Sequence, residues 1–483
     1  MHLPSTRREV LSAAIKACIL ILIAALVFEI ADVPSRESWG DLVRLPNIWR
    51  HTHDTDIEAI RKVDHRLLTS KRFKDGTYHS IDLNRTGIDV LNPTLLELPR
   101  GSQHDFLVVA RAFHVDEHID GVDYRRARQV AMFANLTDND GKPELETGEW
   151  KRLLVEDFLG PKHHCKAQPK MDKYIGPEDM KAFWSRTRAP LIIFTHQTPD
   201  ENLCEGMFII DARAAVPEFG EILGSSGLDM PPVYFQEPTP LYRRPPEGQE
   251  EDARYQREKN WALTQSPLLP DDQDLFVMAE PGQLFRFKSI GEPVEQVPSE
   301  EKSLVEAPFP YDANETWHSK AETCVHDVMR SDSHVHQSTP MLSLTLCNRG
   351  SCTPKEDNTV LIGMVQRRYD PPVRAHTMYE RRIVAYNSAP PYQMRSVSKK
   401  LMYPGEEEDK YIWTGGMVFF ANSTDIPLDR SHGFLDDEVW LSFGIMDKAP
   451  GWLDVSAEEL IKYHYFCEGA SRGYRDSVEV MSL

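Results

Sequence analysis

The pattern that most constrains this chain is a long succession of short apolar runs, each closed by turn-forming residues. They fall at Phe106–Ala112, Gln129–Ala134, Leu191–Thr195, Met207–Asp211, Leu275–Ala279 and Leu284–Phe287. More follow at Met341–Leu346, Val360–Val365, Arg382–Tyr386, Gly416–Phe420 and Val439–Phe443. Runs of four to seven residues rich in Val, Ile, Leu and Phe are too short for helices and read as strands. The chain's 34 prolines punctuate them. Amphipathic helical spacing is nearly absent, Ala457–Tyr465 being the best short stretch. Strands that arrive in consecutive pairs predict an antiparallel all-β sandwich, barrel or propeller rather than alternating βα units.

With 483 residues, 41% of them hydrophobic, the chain has ample material for a large core. Its formal net charge of -20 would repel a nucleic-acid backbone, so no nucleic-acid partner is expected. A few local Arg and Lys can still reverse the sign inside a pocket.

The N-terminus carries Arg7 and Arg8 ahead of an apolar run from Val10 to Ile30. About 20 apolar residues span a bilayer core, and Lys16 can snorkel towards the cytoplasmic surface. Basic residues before the helix predict a cytoplasmic N-terminus and a lumenal body. A cleaved signal peptide is the competing reading, but its best cut, after Ala31, places Glu29 where a small residue belongs. The expected organisation is a cytoplasmic tail (1–9), a transmembrane anchor (10–30), a stem and lead-in (31–90), the main domain (91–470) and a tail (471–483). This predicts a single-pass type II protein of the Golgi or endoplasmic reticulum membrane. Asn84, Asn135, Asn314 and Asn422 open glycosylation triplets, each weak evidence alone. Cys18 lies in the anchor. Cys165, Cys204, Cys324, Cys347, Cys352 and Cys467 suit three disulfides in an oxidising lumen. Cys347 and Cys352 flank a tight turn that a bridge could staple. Residues 243–258 and 291–322 read as inserted surface loops.

Four clusters carry residue types suited to chemistry. In Gly176-Pro177-Glu178-Asp179, a turn opens the next strand, and alternation sends the two carboxylates to opposite faces. A solvated acidic turn is the plain alternative. Arg257-Glu258-Lys259-Asn260-Trp261 sets a charge, an amide and an aromatic face together, a combination that suits a sugar. A surface turn with a core Trp competes with it. Gln366-Arg367-Arg368-Tyr369 and Tyr379-Glu380-Arg381-Arg382 offer forks that match phosphate oxygens, or else form a solvated basic edge. Ser431-His432-Gly433 and Asp436-Asp437-Glu438 precede a strand that Asp447 follows, as at a site built on strand ends or in a capping turn. Asp138-Asn139-Asp140 has the form of a sugar-transferase metal motif, but the following Gly141 favours a turn. Asp54-Thr55-Asp56 lies in the stem, and His163-His164-Cys165 lacks metal partners at suitable spacing. No metal is therefore expected.

The order of these clusters resembles the five-bladed β-propeller family of mannoside phosphorylases and related β-mannosyltransferases. Asn92-Pro93-Thr94 with Leu107–Arg111 is similar to its opening blade. Gly176–Asp179 and Glu258–Trp261 are similar to its Gly-Pro-Glu-Asp-Pro-Arg and Glu-Lys-Asn-Trp segments. Tyr379–Tyr386, Val397–Pro404 and Gly416–Phe420 are similar to its fourth-blade stretch, and Val439–Asp447 to its closing strand. Met180-Lys181 departs from the family's Pro-Arg. The chain is also similar to fungal type II membrane proteins.

The resemblance covers roughly residues 90–465. It implies a five-bladed β-propeller, preceded here by the transmembrane helix and stem. It further implies an inverting glycosyltransferase, a mannosyltransferase using a nucleotide sugar such as GDP-mannose. A glycan or glycoprotein would be the acceptor, and no further cofactor is required. Asp179 or Asp436/Asp437 would be the catalytic carboxylate. Arg111, Glu178, Lys259, Asn260, Arg367, His432 and Asp447 would contact phosphate or sugar, and Trp261 would stack on a sugar ring. The alternatives are a glycoside hydrolase or phosphorylase acting on mannosides, and a non-catalytic glycan-binding propeller.

Overall fold

In the computed structural model, most of the strands that position the site are buried on both faces, which is why they read as continuous apolar segments. The structure describes residues 65–72, 77–83, 87–119, 121–139, 142–155, 173–198, 205–227, 229–243, 258–269, 275–287, 292–296, 324, 335–369, 377–390, 392–406, 410–420, 430–467 and 470–482. The expected anchor, most of the stem, residues 244–257, most of 291–322, Cys165, Cys204, Asn84, Asn314 and Asn422 lie outside the described residues, whereas Arg243 and Glu258, expected in a surface loop, are buried as an ion pair and Glu295–Gln296 is a strand. No helix among the described residues is long and apolar enough to cross a membrane.

The strands form five antiparallel groups in chain order. The first comprises Val90–Glu97, Phe106–Ile119, Val122–Asn139 and Lys142–Thr147. The second comprises Glu178–Trp184, Pro190–Gln197, Glu205–Asp211 and Thr239–Leu241. The third comprises Ala262–Thr264, Phe276–Glu280, Gln283–Arg286 and Glu295–Gln296. In the fourth, Val335–Gln337 and Leu342–Thr345 share one edge of Thr359–Tyr369, followed by Met378–Asn387 and Met394–Ser398. The fifth contains Ile412–Phe420, Glu438–Ile445 and Ala449–Ser456, and is completed by His79–Asp82 from the other end of the chain.

Five hydrophobic cores lie between successive groups and close a cycle. Leu107, Val109, Met180 and Phe194 join the first group to the second. Phe183, Ile193, Trp261 and Val277 join the second to the third, and Phe276, Met278, Leu361 and Val384 the third to the fourth. Ile362, Ile383, Leu441 and Val455 join the fourth to the fifth. Trp440, Trp452, Phe106 and Val108 then join the fifth back to the first. Alternation along one strand supplies both neighbours: Met180, Ala182 and Trp184 face one core and Phe183 the next. The architecture is all-β and propeller-like. His79–Asp82 also pairs in parallel with Lys142–Thr147, so it ties the last group to the first.

All eleven expected strands fall on observed ones. The expected helix over Ala457–Tyr465 is shorter, Ala457–Ile461, because His464–Phe466 leaves it to pair with Met394–Ser398. Two helices were not anticipated. Pro217–Ser225 buries Phe219 and Leu223, and Arg472–Ser482, expected as a tail, buries Tyr474 and Val478. His65–Leu67 and His79–Asp82, expected in the lead-in, are strands of the sheets. Cys347 bonds Cys352 across the anticipated turn, and Cys324 bonds Cys467.

Candidate functional site

Polar side chains gather where the first strand of each group begins, the second ends and the third begins. Local backbone distortions aim them. Asn92, Asp179 and Asn260 all hold φ between +48° and +63°, at or just before the first strands of the first three groups. Asn92 lies where the register with the second strand slips between Leu91 and Thr94, and Asp179 lies at a similar slip. Such bulges re-aim side chains, and the cost of left-handed backbone concentrates at functional positions.

One carboxylate centre is Glu178. Its Oε2 lies 3.2 Å from Lys259 Nζ and its Oε1 3.7 Å from His114 Nε2. Lys259 also lies 3.4 Å from Glu205. Burial alone would raise the Glu178 carboxyl. The His114 ring, with the charges of Lys259 and Arg111, outweighs that and holds it well below the usual carboxylate range. Glu178 is therefore an anion at any ordinary pH.

The second centre is Asp447. Tyr411 donates its hydroxyl to Oδ2 at 2.8 Å, while Asn92 Nδ2 lies 3.5 Å and Arg111 Nη2 3.8 Å from Oδ1. Burial and the Asp447 carboxylate both push the Tyr411 phenol up, so it stays a neutral donor. Arg111 acts on both centres, lowering the Glu178 and Tyr411 values alike.

Aromatic residues complete the circuit. Asn260 Nδ2 lies 3.3 Å from His336 Nδ1. The His336 ring meets Trp413 at 6.4 Å, Trp413 meets Tyr379 at 5.0 Å, and Tyr379 meets Tyr411 at 5.9 Å. The circuit thus draws on all five groups. Three buried polar atoms in it, Asn92 Oδ1, Arg111 Nε and Asn260 Oδ1, make no hydrogen bond within the protein. Buried polar groups are normally satisfied, so such a concentration suits a polar ligand. Carboxylates, guanidinium, ammonium, amides and flat aromatic faces together match the hydroxyls and C–H faces of a sugar.

The structure brings Arg111, Glu178, Asp179, Lys259, Asn260 and Asp447 to this one end of the groups. The other expected site residues go elsewhere, which corrects their proposed roles. Asp436 and Asp437 precede the strand Glu438–Ile445, whereas Asp447 follows it. An eight-residue strand is about 27 Å long, so they sit far from the circuit. There they clamp the Cys347–Cys352 turn, Asp437 pairing with Arg349 at 2.5 Å and Asp436 accepting from its backbone N–H. His432 lies at that same far end, with Ser343 and Thr345 hydroxyls 3.0 and 3.3 Å from its ring nitrogens. Trp261 is wholly buried in the core, its indole N–H donating to Glu258 and its ring stacked on Phe285. No sugar can reach it there. Arg367 is buried in an ion pair with Glu380 at 2.9 Å, which Arg382 shares. Arg381 is buried against Glu406.

His114, Glu205, His336, Tyr411 and Trp413 escaped the sequence reading. A usable signal was present for two of them, since Tyr411 and Trp413 open a first strand just as Asn92 and Asn260 do. No group of three or more metal-ligating side chains occurs among the described residues.

No family model matches the chain, and no curated protein matches it in sequence. Among solved structures, a protein of Bacteroides ovatus assigned as a glycoside hydrolase is 9% identical with TM-score 0.41, covering 82% of this chain and 97% of its own. A Trypanosoma rangeli sialidase in complex with sialic acid is 10% identical with TM-score 0.32, covering 81% of this chain and 46% of its own. The NanB sialidase of Streptococcus pneumoniae is 8% identical with TM-score 0.28, covering 82% and 60%. None of these superpositions is close, and the functional reading rests on side-chain geometry.

Proposed function

We propose that the five groups are the blades of one five-bladed β-propeller, and that the polar circuit at its axis binds a glycan and cleaves a glycosidic bond. The supporting observation is the pair of carboxylates, Glu178 and Asp447, held on either side of Arg111 beside an aromatic wall. Glycoside cleavage needs two carboxyls flanking the bond, one to protonate the leaving oxygen and one to activate the attacking water or steady the anomeric carbon. Glu178 is held ionised, so it takes the base or charge-stabilising role, and Asp447 is the second carboxyl of the pair. Tyr411 orients Asp447.

One observation favours a second reading, glycosyl transfer from a nucleotide sugar such as GDP-mannose. Arg111, Lys259 and His114 converge on one point and would neutralise a phosphate, as attacking nucleophile in a phosphorylase or as leaving group in a transferase. With residues 10–30 as an uncleaved anchor, this site would face the lumen of the Golgi or endoplasmic reticulum.

Detergent-purified full-length protein incubated with manno-oligosaccharides and aryl glycosides, with and without inorganic phosphate, tests the first reading. Release of a sugar or sugar phosphate that Glu178→Gln abolishes is expected. Transfer only from a nucleotide sugar would establish the second reading instead, and binding without turnover would leave a glycan-binding propeller.

A further inference from the structure

Two strands of the first group run far beyond their neighbours. The last rung between Val90–Glu97 and Phe106–Ile119 is Val90 with Ala112. Past it, residues 113–119 pair only with the returning strand, forming an arm about 23 Å long by strand rise. The arm is stiff. Glu117 is held by Arg126 and by Arg128, each at 2.8 Å, and Tyr174–Ile175 pairs in parallel with Arg125 and Arg126.

The arm begins with a bulge. The register passes from Ala112–Arg128 to Val115–Arg126, so Phe113 and His114 together oppose Ala127. A bulge of two residues against one breaks the strict alternation that would set adjacent side chains on opposite faces. His114 reaches Glu178, so Phe113 stands at the lip of the circuit, and it is 46% exposed. Tyr174, four residues before Glu178, is 42% exposed on the short strand that pairs with the returning strand. Of ten exposed large hydrophobic residues among those described, Phe113, Val115, Val122 and Tyr174 are four. By register, Phe113 and Tyr174 share the face of Ala127 and Arg125, whereas Val115 and Val122 lie on the opposite face.

We propose that Phe113 and Tyr174 form an outer sugar subsite, which makes the protein selective for oligosaccharides over single sugars. This rests on the reading of the circuit as a glycan site. Phe113 is the neighbour of His114 in the bulge, and His114 serves Glu178, so the Phe113 ring stands at the outer edge of the site. An exposed aromatic face offers stacking to the C–H face of the next sugar along. Acidic and basic residues nearly balance over 113–128, which gives a polyanion or an anionic membrane nothing to bind.

The test is binding of mannose, mannobiose, mannotetraose and chitotetraose to full-length protein in detergent, by calorimetry, for wild type, Phe113→Ala, Phe113→Trp and Glu178→Gln. For the wild type, affinity should rise with chain length. Phe113→Ala should remove about tenfold of that rise, which is about 1.4 kcal/mol, and Phe113→Trp should keep it. Since Phe113 is exposed, an unchanged thermal midpoint certifies the variant's fold.

If single-sugar binding depends on Glu178 while the gain with length survives in Phe113→Ala, the outer subsite is refuted and the inner site stands. If the gain depends on Phe113 but no turnover occurs, the subsite stands and the enzymatic reading falls. A concentration-dependent dimer that Phe113→Ala dissociates would overturn the proposal by making the arm a contact between copies, and no binding of any sugar would overturn both readings.

Discussion

Replacing Lys181 by Met should stabilise the protein at neutral pH and destabilise it in alkali. Lys181 lies on the strand Glu178–Trp184 and is 1% exposed. Its ammonium donates to the Trp261 carbonyl at 3.1 Å. Burial lowers its pKa from 10.5 to about 8, against the pull of Asp179. The folded value is the lower one, so below pH 8 both folded and unfolded forms carry the proton and the burial cost is fully present. Between about pH 8 and 10.5 the unfolded chain binds more protons, and stability rises with pH. The fall from 10.5 to about 8 corresponds to roughly 3 kcal/mol. Met has similar length and no charge, but leaves the Trp261 carbonyl without its donor, a loss of about 1 kcal/mol. Lys181→Met should therefore be about 2 kcal/mol more stable than wild type at pH 7 and about 1 kcal/mol less stable at pH 10.5. Denaturant titration followed by tryptophan fluorescence at the two pH values measures both differences. A loss of the same size at both would refute the reasoning, because it would mean that the buried ammonium is fully compensated.

Other changes test particular contacts. Glu380→Gln leaves Arg367 and Arg382 buried without their carboxylate and should cost about 3–5 kcal/mol, visible as a lowered thermal midpoint. Gly444→Ala would place a Cβ 1.8 Å from Asn92 Oδ1. Asn92 must then move off Asp447, so sugar binding measured by calorimetry should weaken at least tenfold. The Cys324–Cys467 bridge closes a loop of 143 residues and the Cys347–Cys352 bridge one of 5. Loop-closure entropy puts them at about 5 and about 2 kcal/mol, so Cys324→Ser should lower the denaturation midpoint more than Cys352→Ser.

The strand positions were legible because each sheet is covered on both faces, which turns every strand into an unbroken apolar run such as Leu191–Thr195 or Val439–Phe443. The helices were not, since Pro217–Ser225 and Arg472–Ser482 are short and each buries two of its described side chains. The closing role of His79–Asp82 was hidden for a different reason. Four mixed residues have no strand signature of their own, and only the partners Ala449–Ser456 and Lys142–Thr147 define them.

For the site, two facts decide whether a chemically suitable residue counts, and local sequence supplies neither. One is which end of the strand it occupies. Asp437 and Asp447 flank the same strand, yet only Asp447 joins Arg111 and Tyr411, because the antiparallel order puts the end of each second strand beside the start of each first. The other is the direction of the side chain at that end. Asn260 and Trp261 are neighbours, but the period of two, entered through a left-handed residue, sends the amide to His336 and the indole into the core. Arg367 stands at the correct end and still turns inward to Glu380. A rule that combines strand end with direction selects Asn92, Arg111, Glu178, Lys259, Asn260, Tyr411 and Asp447 and rejects Asp436, Asp437, His432, Trp261 and Arg367. Strand order can be counted along the chain, but the bulges at Asn92 and Asp179 shift the parity, so the direction emerges only once the sheets have packed.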